Sequence, residues 1–142
     1  MKRAVFTTPQ EAETAFYEAF EKSDLDAMMG VWADDDEIVC VHPGGPRLSG
    51  IEQIREAWRR MFAAGPTLRF KLREPHAMNG MTVVVHSVYE QISAGGDSPR
   101  QPIIATNVYM RTESGWRMIV HHASPAPAAP ESDGKRGPKT LH

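Results

Sequence analysis

Along the chain the apolar positions keep two rhythms, and the change from one to the other predicts the architecture. Ala12, Ala15, Phe16, Ala19 and Phe20 recur at the spacing of one helical stripe, with glutamates on the other side. Thr8-Pro9-Gln10-Glu11 in front of them is a capping box with proline at the first helical position, so a helix is predicted from Pro9. Ser23-Asp24-Leu25-Asp26 ends that helix and caps a shorter second one, whose Leu25, Met28, Met29 and Trp32 can fold back on the first. A further capping box, Ser49-Gly50-Ile51-Glu52, opens a third helix with Ile51, Ile54, Trp58, Met61 and Phe62 on its apolar face; Gly65-Pro66 stops it.

Between these helices the β-branched run Ile38-Val39-Cys40-Val41-His42 predicts a strand, halted by Pro43-Gly44-Gly45-Pro46. His42 thus closes a strand beside an irregular loop, where a side chain can face a cavity. From Thr67 the period becomes two. Leu68, Phe70 and Leu72 alternate with Arg69, Lys71 and Arg73, a basic stripe that reads as the wet face of a strand. A turn at Asn79-Gly80, a strand from Met81 to Ile92 and a Gly/Pro/Ser-rich loop from Ser93 to Pro102 follow. The last hairpin runs from Ala105 to Ser124 about a turn at Glu113, Ser114 and Gly115. Strict alternation puts Trp116, Met118, Val120 and His122 on one face of its second strand, and Arg117, Ile119, His121 and Ala123 on the other. On its first strand Ala105, Asn107, Tyr109 and Arg111 project together.

Three helices and then strands predict an α+β domain, a curved antiparallel sheet wrapped around a packed N-terminal helix. A strongly bent sheet can enclose a cavity that a flat one would leave open. The predicted domain covers residues 1–124; residues 125–142, rich in Pro, Ala and Gly, are expected to form a mobile tail.

Composition narrows the function. The chain has 142 residues, 41% of them hydrophobic and 24% charged, as expected of one ordinary domain. A net charge of −2 provides no basic footprint, which argues against nucleic acid or an acidic membrane as partner. Cys40 is the single cysteine, so no internal disulfide or thiolate cluster is available. No stretch has the length of a spanning helix and the start lacks a signal-peptide core, making a cytoplasmic protein the expectation. The acidic run Asp34 to Glu37 reads as a solvated turn, because consecutive residues cannot all converge on one ion.

Trp32-Ala33-Asp34-Asp35, Val41-His42-Pro43-Gly44-Gly45, Ser49-Gly50-Ile51-Glu52-Gln53-Ile54-Arg55 and Gly115-Trp116-Arg117-Met118-Ile119-Val120-His121-His122, in that order, resemble the SnoaL-like branch of the nuclear transport factor 2-like superfamily. The resemblance covers Thr8 to Ser124 and implies a cone-shaped α+β barrel, usually a homodimer. Trp116 to Pro130 is also similar to the end of the calcium/calmodulin-dependent kinase II association domain, an oligomerisation module.

Within that superfamily the stretch from Ala33 to Arg55 is similar to the ketosteroid isomerases. The resemblance places His42, before Pro43, where those enzymes carry an aspartate general base. It places Asn107, eight residues before Gly115, at the position of their second carboxylic acid, and Phe16 at that of their oxyanion tyrosine, with Tyr17 next to it. Histidine is a competent base near neutral pH, and an amide can polarise a carbonyl, but Phe16 cannot donate. Losing one oxyanion donor typically costs ~100- to 1000-fold in turnover, which argues against steroid isomerisation.

The expected function is therefore a small-molecule pocket of the isomerase, cyclase or dehydratase type, with His42 as base and Asn107 and His122 orienting a carbonyl. The expected pocket walls are Phe16, Tyr17, Phe20, Trp32, Trp58, His86, Tyr109 and Val120. The ligand is expected to be small and hydrophobic or carbonyl-bearing, without cofactor. No metal is expected, since adjacent His121 and His122 face apart and a site would need His42, His86 and His122 to converge. The alternatives are a non-catalytic ligand binder and an oligomerisation module. Val83, Val85 and Tyr89 face one way and Val84, His86 and Val88 the other, so both faces of this strand are largely apolar, consistent with a homodimer.

Overall fold

The computed structural model describes residues 3–94 and 100–127. Helix α1 spans Pro9–Lys22. Thr8 Oγ1 accepts the Glu11 N–H at 3.1 Å while the Glu11 carboxylate reaches back to the Thr7 N–H at 2.9 Å. Ser23, at φ 53°, ends the helix in the left-handed region, and Asp24 then caps α2 (Leu25–Val31) by accepting the Ala27 N–H at 3.0 Å.

Strands β1 (Val39–Val41) and β2 (Arg47–Ser49) form a short hairpin before α3 (Ile51–Ala64). The capping box expected at Ser49 does not form. Ser49 belongs to β2, and Gly50, at φ 86°, takes the cap position without a side-chain bond. The Gln53 side chain, not that of Glu52, accepts the Ser49 N–H at 2.9 Å. A positive φ at the cap turns the chain too sharply for Ser49 to reach the helix, and glycine tolerates that φ.

Strands β3 (Leu68–Asn79), β4 (Val83–Ala94), β5 (Ile103–Thr112) and β6 (Gly115–Pro125) form an antiparallel meander. The six-stranded sheet runs β2-β1-β6-β5-β4-β3, curved and unclosed, with β1 and β6 parallel. Helix α1 lies in its concave side against β3, β5 and β6, and the Phe70 N–H donates to Glu21 at 2.7 Å. Phe16, Phe20 and Trp58 pack edge-on around one another at centroid distances of 4.8–6.0 Å, closing the core between α1 and α3. Strand β6 continues past the predicted boundary: Pro125 pairs with Ile103, and the Ala126 N–H donates to the Pro102 carbonyl. The remainder of the predicted tail, from residue 128, lies outside the described residues. No helix among the described residues is long and apolar enough to cross a membrane.

One irregularity matters for the site. Tyr109 pairs with Met118 but Val108 pairs with Val120, so Ile119 is an extra residue in β6. That bulge resets the alternation. Trp116 and Met118 are buried, and so are His121 and Ala123, whereas His122 is exposed and Val120 only half-buried. The facing predicted for His121 and His122 is therefore reversed, because strict alternation does not survive an inserted residue.

Candidate functional site

A cavity of about 370 Å³ opens between the end of β1, the N-terminal half of β3, the C-terminal half of β4 and the start of β5. Phe20, Met61, Leu68, Ile92, Ile103 and Ala123 make its apolar wall. Three titratable groups break that wall: His42, Glu90 and His121. Pro43, Arg100 and Gln101, all exposed, stand at its rim.

His42 follows directly from β1, as the pattern predicts, with its ring edge-on to Trp58 at 4.8 Å. Its Nε2 lies 3.6 Å from Cys40 Sγ, one pleat back on the same face. Burial lowers the His42 pKa to about 4, leaving a neutral imidazole and a weaker base than an unperturbed histidine. Burial likewise pushes the Cys40 thiol up to about 12, so it is no thiolate nucleophile.

His121 enters the cavity through the bulge. Its ring sits 4.9 Å from Phe16 and 6.1 Å from His42, between centroids. Burial first, then the neighbouring His42 and His122, lower its pKa to about 3. His121 Nδ1 lies 2.6 Å from Asn107 Oδ1. The amide's orientation is fixed from its other side, where Nδ2 donates to Tyr17 Oη at 3.0 Å and to Glu13 Oε2 at 3.4 Å. A carboxylate only accepts, so the nitrogen must face Glu13, Oδ1 must accept, and His121 Nδ1 must carry the hydrogen. Its Nε2 is then left with a free lone pair.

Tyr17 passes its own hydrogen to Glu90 Oε2 at 2.6 Å. Burial, opposed by this hydrogen bond and reinforced by the Glu13 charge, raises the Glu90 pKa to about 7. Because Tyr17 already accepts from Asn107 and donates to Oε2, the titrating proton of Glu90 falls to Oε1. The Tyr17 hydroxyl, desolvated and beside Glu90, is held well above the usual phenol range and stays protonated. Around Glu13 a second polar group gathers: Tyr109 donates at 3.2 Å and His86 Nδ1 approaches at 3.1 Å.

Of the predicted catalytic residues, His42 lines the cavity. Asn107 is buried behind it and hydrogen-bonded to His121, while exposed His122 turns away. Among the predicted walls, Phe20 lines this cavity. Phe16, Tyr17 and Trp58 form the layer behind, against His121, Glu90 and His42. Trp32 is displaced to a bridge with Met118, His86 and Tyr109 belong to the Glu13 group, and Val120 lies on the outward face of β6. His42, His86 and His122 do not converge. Glu90 was missed, although the alternation Val84, His86, Val88 extends to it without a break.

A model of the SnoaL-like domain matches residues 10–129. The chain belongs to the SnoaL-like domain family. A solved protein from Thiobacillus denitrificans, named as a candidate calcium/calmodulin-dependent protein kinase type II association domain, is 44% identical at a TM-score of 0.83, covering 87% of this chain and 98% of its own. A candidate dehydratase of the NTF2-like family from Streptomyces avermitilis is 34% identical at a TM-score of 0.76, covering 84% and 94%. A protein of unknown function with a cystatin-like fold from Nostoc punctiforme, 14% identical over 88% of this chain and 98% of its own, has a TM-score of 0.71 and shows the fold alone. The F-box protein SKIP8 of Arabidopsis thaliana is 25% identical over 113 residues, 78% of this chain; the SnoaL-like chain spans 46% of that relative's length.

Proposed function

We propose that this SnoaL-like protein is an acid–base enzyme of the isomerase, cyclase or dehydratase type, acting on a small carbonyl compound. The observation that carries the reading is Glu90, a buried carboxyl poised at about 7 in an apolar cavity that two neutral imidazoles also line. A group titrating near the working pH is both a usable acid and a usable base, whereas His42 at about 4 is a poor base. Glu90 therefore takes the base role expected of His42. His42 is left to orient a carbonyl or hydroxyl oxygen at the mouth, and His121 Nε2 accepts a hydrogen bond from a substrate O–H. The likeness to a candidate dehydratase supports this reading.

The test is exchange of α-protons of small enolisable ketones into deuterated buffer, followed by NMR. The parent should accelerate exchange with a titration near neutrality. Glu90→Gln should lower the rate about 100-fold or more, and His42→Ala by less. Equal accelerated rates in the parent and Glu90→Gln would remove Glu90 from the chemistry, and no acceleration by the parent would leave a ligand-binding pocket without turnover.

A homodimer is proposed with it. The outward face of the sheet carries Val83, Val85, Val108 and Val120, none fully buried, a surface suited to a second copy. The likeness to a candidate association domain favours such an assembly.

A further inference from the structure

The cavity's charge is distributed unevenly, and this bears on what it can hold. Its lining contains a single Lys or Arg side chain, Arg100, at the rim. No ion pair or side-chain hydrogen bond joins Arg100 to any described residue, while its backbone N–H is pinned to the Ile92 carbonyl at 2.7 Å. Gln101 beside it is fixed through Nε2 to the Ala126 carbonyl at 3.3 Å. Deeper in, His42 and His121 are neutral and Glu90 is the one group that takes up charge, a negative one. An anion seated there would lose its water and meet Glu90 without a cation to offset either cost. A neutral carbonyl escapes the repulsion and loses far less on leaving water than an ion does. Glu90 and Ile92 are two residues apart on β4, so the point where the Arg100 backbone is anchored lies about 7 Å along the strand from the acid.

We propose that the ligand is a small keto acid, or a similar carbonyl compound with one carboxylate, bound with its carbonyl toward Glu90 and its carboxylate on Arg100. This rests on the acid–base reading for the inner end and adds the outer one. The guanidinium suits a carboxylate because it can donate two parallel hydrogen bonds. Arg100 is exposed, so the gain is modest, and it sets orientation and selectivity more than total affinity.

The experiment is ligand-observed NMR titration of the full chain with levulinate, a γ-keto acid, and with its neutral methyl ester, repeated on Arg100→Gln and Glu90→Gln. The parent should bind levulinate about three- to ten-fold tighter than the ester at low salt. Arg100→Gln should abolish that preference without weakening ester binding, and Glu90→Gln should keep it. Equal affinities in the parent, a preference that survives in Arg100→Gln, or no binding of either probe would overturn the proposal. The inner half is judged separately. Proton exchange that depends on Glu90, seen without any carboxylate preference, would leave the acid–base reading standing and remove only the keto acid.

Discussion

Glu90 carries a measurable signature at the level of the single residue. A carboxyl held at about 7 in the folded state, against ~4.3 in an unfolded chain, favours folding least where it is ionised. Its contribution is neutral below the unfolded value, turns unfavourable as pH rises through the window from ~4.3 to about 7, and is constant above it. Glu90→Gln removes that dependence. The stability of the variant relative to the parent should rise by about 3 kcal/mol between pH 4 and pH 8, read by urea denaturation at each pH. The imidazoles have the opposite sign. His42 and His121, lowered to about 4 and 3, stay neutral in the fold while unfolded histidines protonate below ~6.5, so acid weakens the parent from that pH downward. The adjacent pair His121 and His122 separates the roles sharply. His121→Ala strands the Asn107 carbonyl in a buried site and opens a void, at a cost of about 2–4 kcal/mol. His122→Ala, on an exposed side chain, should fall within ~0.5 kcal/mol of the parent in the same assay.

Among the elements, the β5–β6 turn ties the sheet to the segment that precedes α1. Gly115 sits at φ 102°, and a Cβ there would lie 2.8 Å from the Phe6 carbonyl oxygen, which also receives the Trp116 N–H. Gly115→Ala should cost about 2 kcal/mol or more through strain and through loss of that docking, seen as a lower denaturation midpoint and faster amide exchange at Trp116. The elements also show what a sequence does and does not disclose. Thr8 and Asp24 announced their helices because capping is a local interaction, complete within four residues. The bulge at Ile119 was hidden, since it is defined by which residues of β5 lie opposite. No residue type marks it, and it exchanges the two histidines between faces. Glu90 was legible in the alternation of β4, but its raised pKa comes from burial that only the folded sheet supplies, held back by a hydrogen bond from Tyr17, 73 positions away.

For the molecule as a whole, the fold was readable because length, helix caps and two hydrophobic periods all pointed one way. The cavity's occupant was not, because its lining is gathered from seven separate stretches of chain, α1, α3 and the loop before β5 among them. The outward sheet face gives the prediction proper to this scale. Light scattering should show twice the chain mass, and Val108→Glu, which places a charge on that face opposite Val85, should reduce it to a single chain.

The sheet ends at β3, beyond which no further strand pairs among the described residues; Glu21 takes up the Phe70 amide, but a margin of this kind can recruit a strand from another molecule. The irregularity between Arg73 and His76, with Glu74 at φ 49° and Pro75 lacking an amide hydrogen, cuts that margin into two short lengths. Cations at Arg69 and Lys71 repel a like neighbour along the first of them. The kink thus acts as a guard against runaway edge-to-edge zippering, allowing the sheet to stay open without becoming a seed for fibrils.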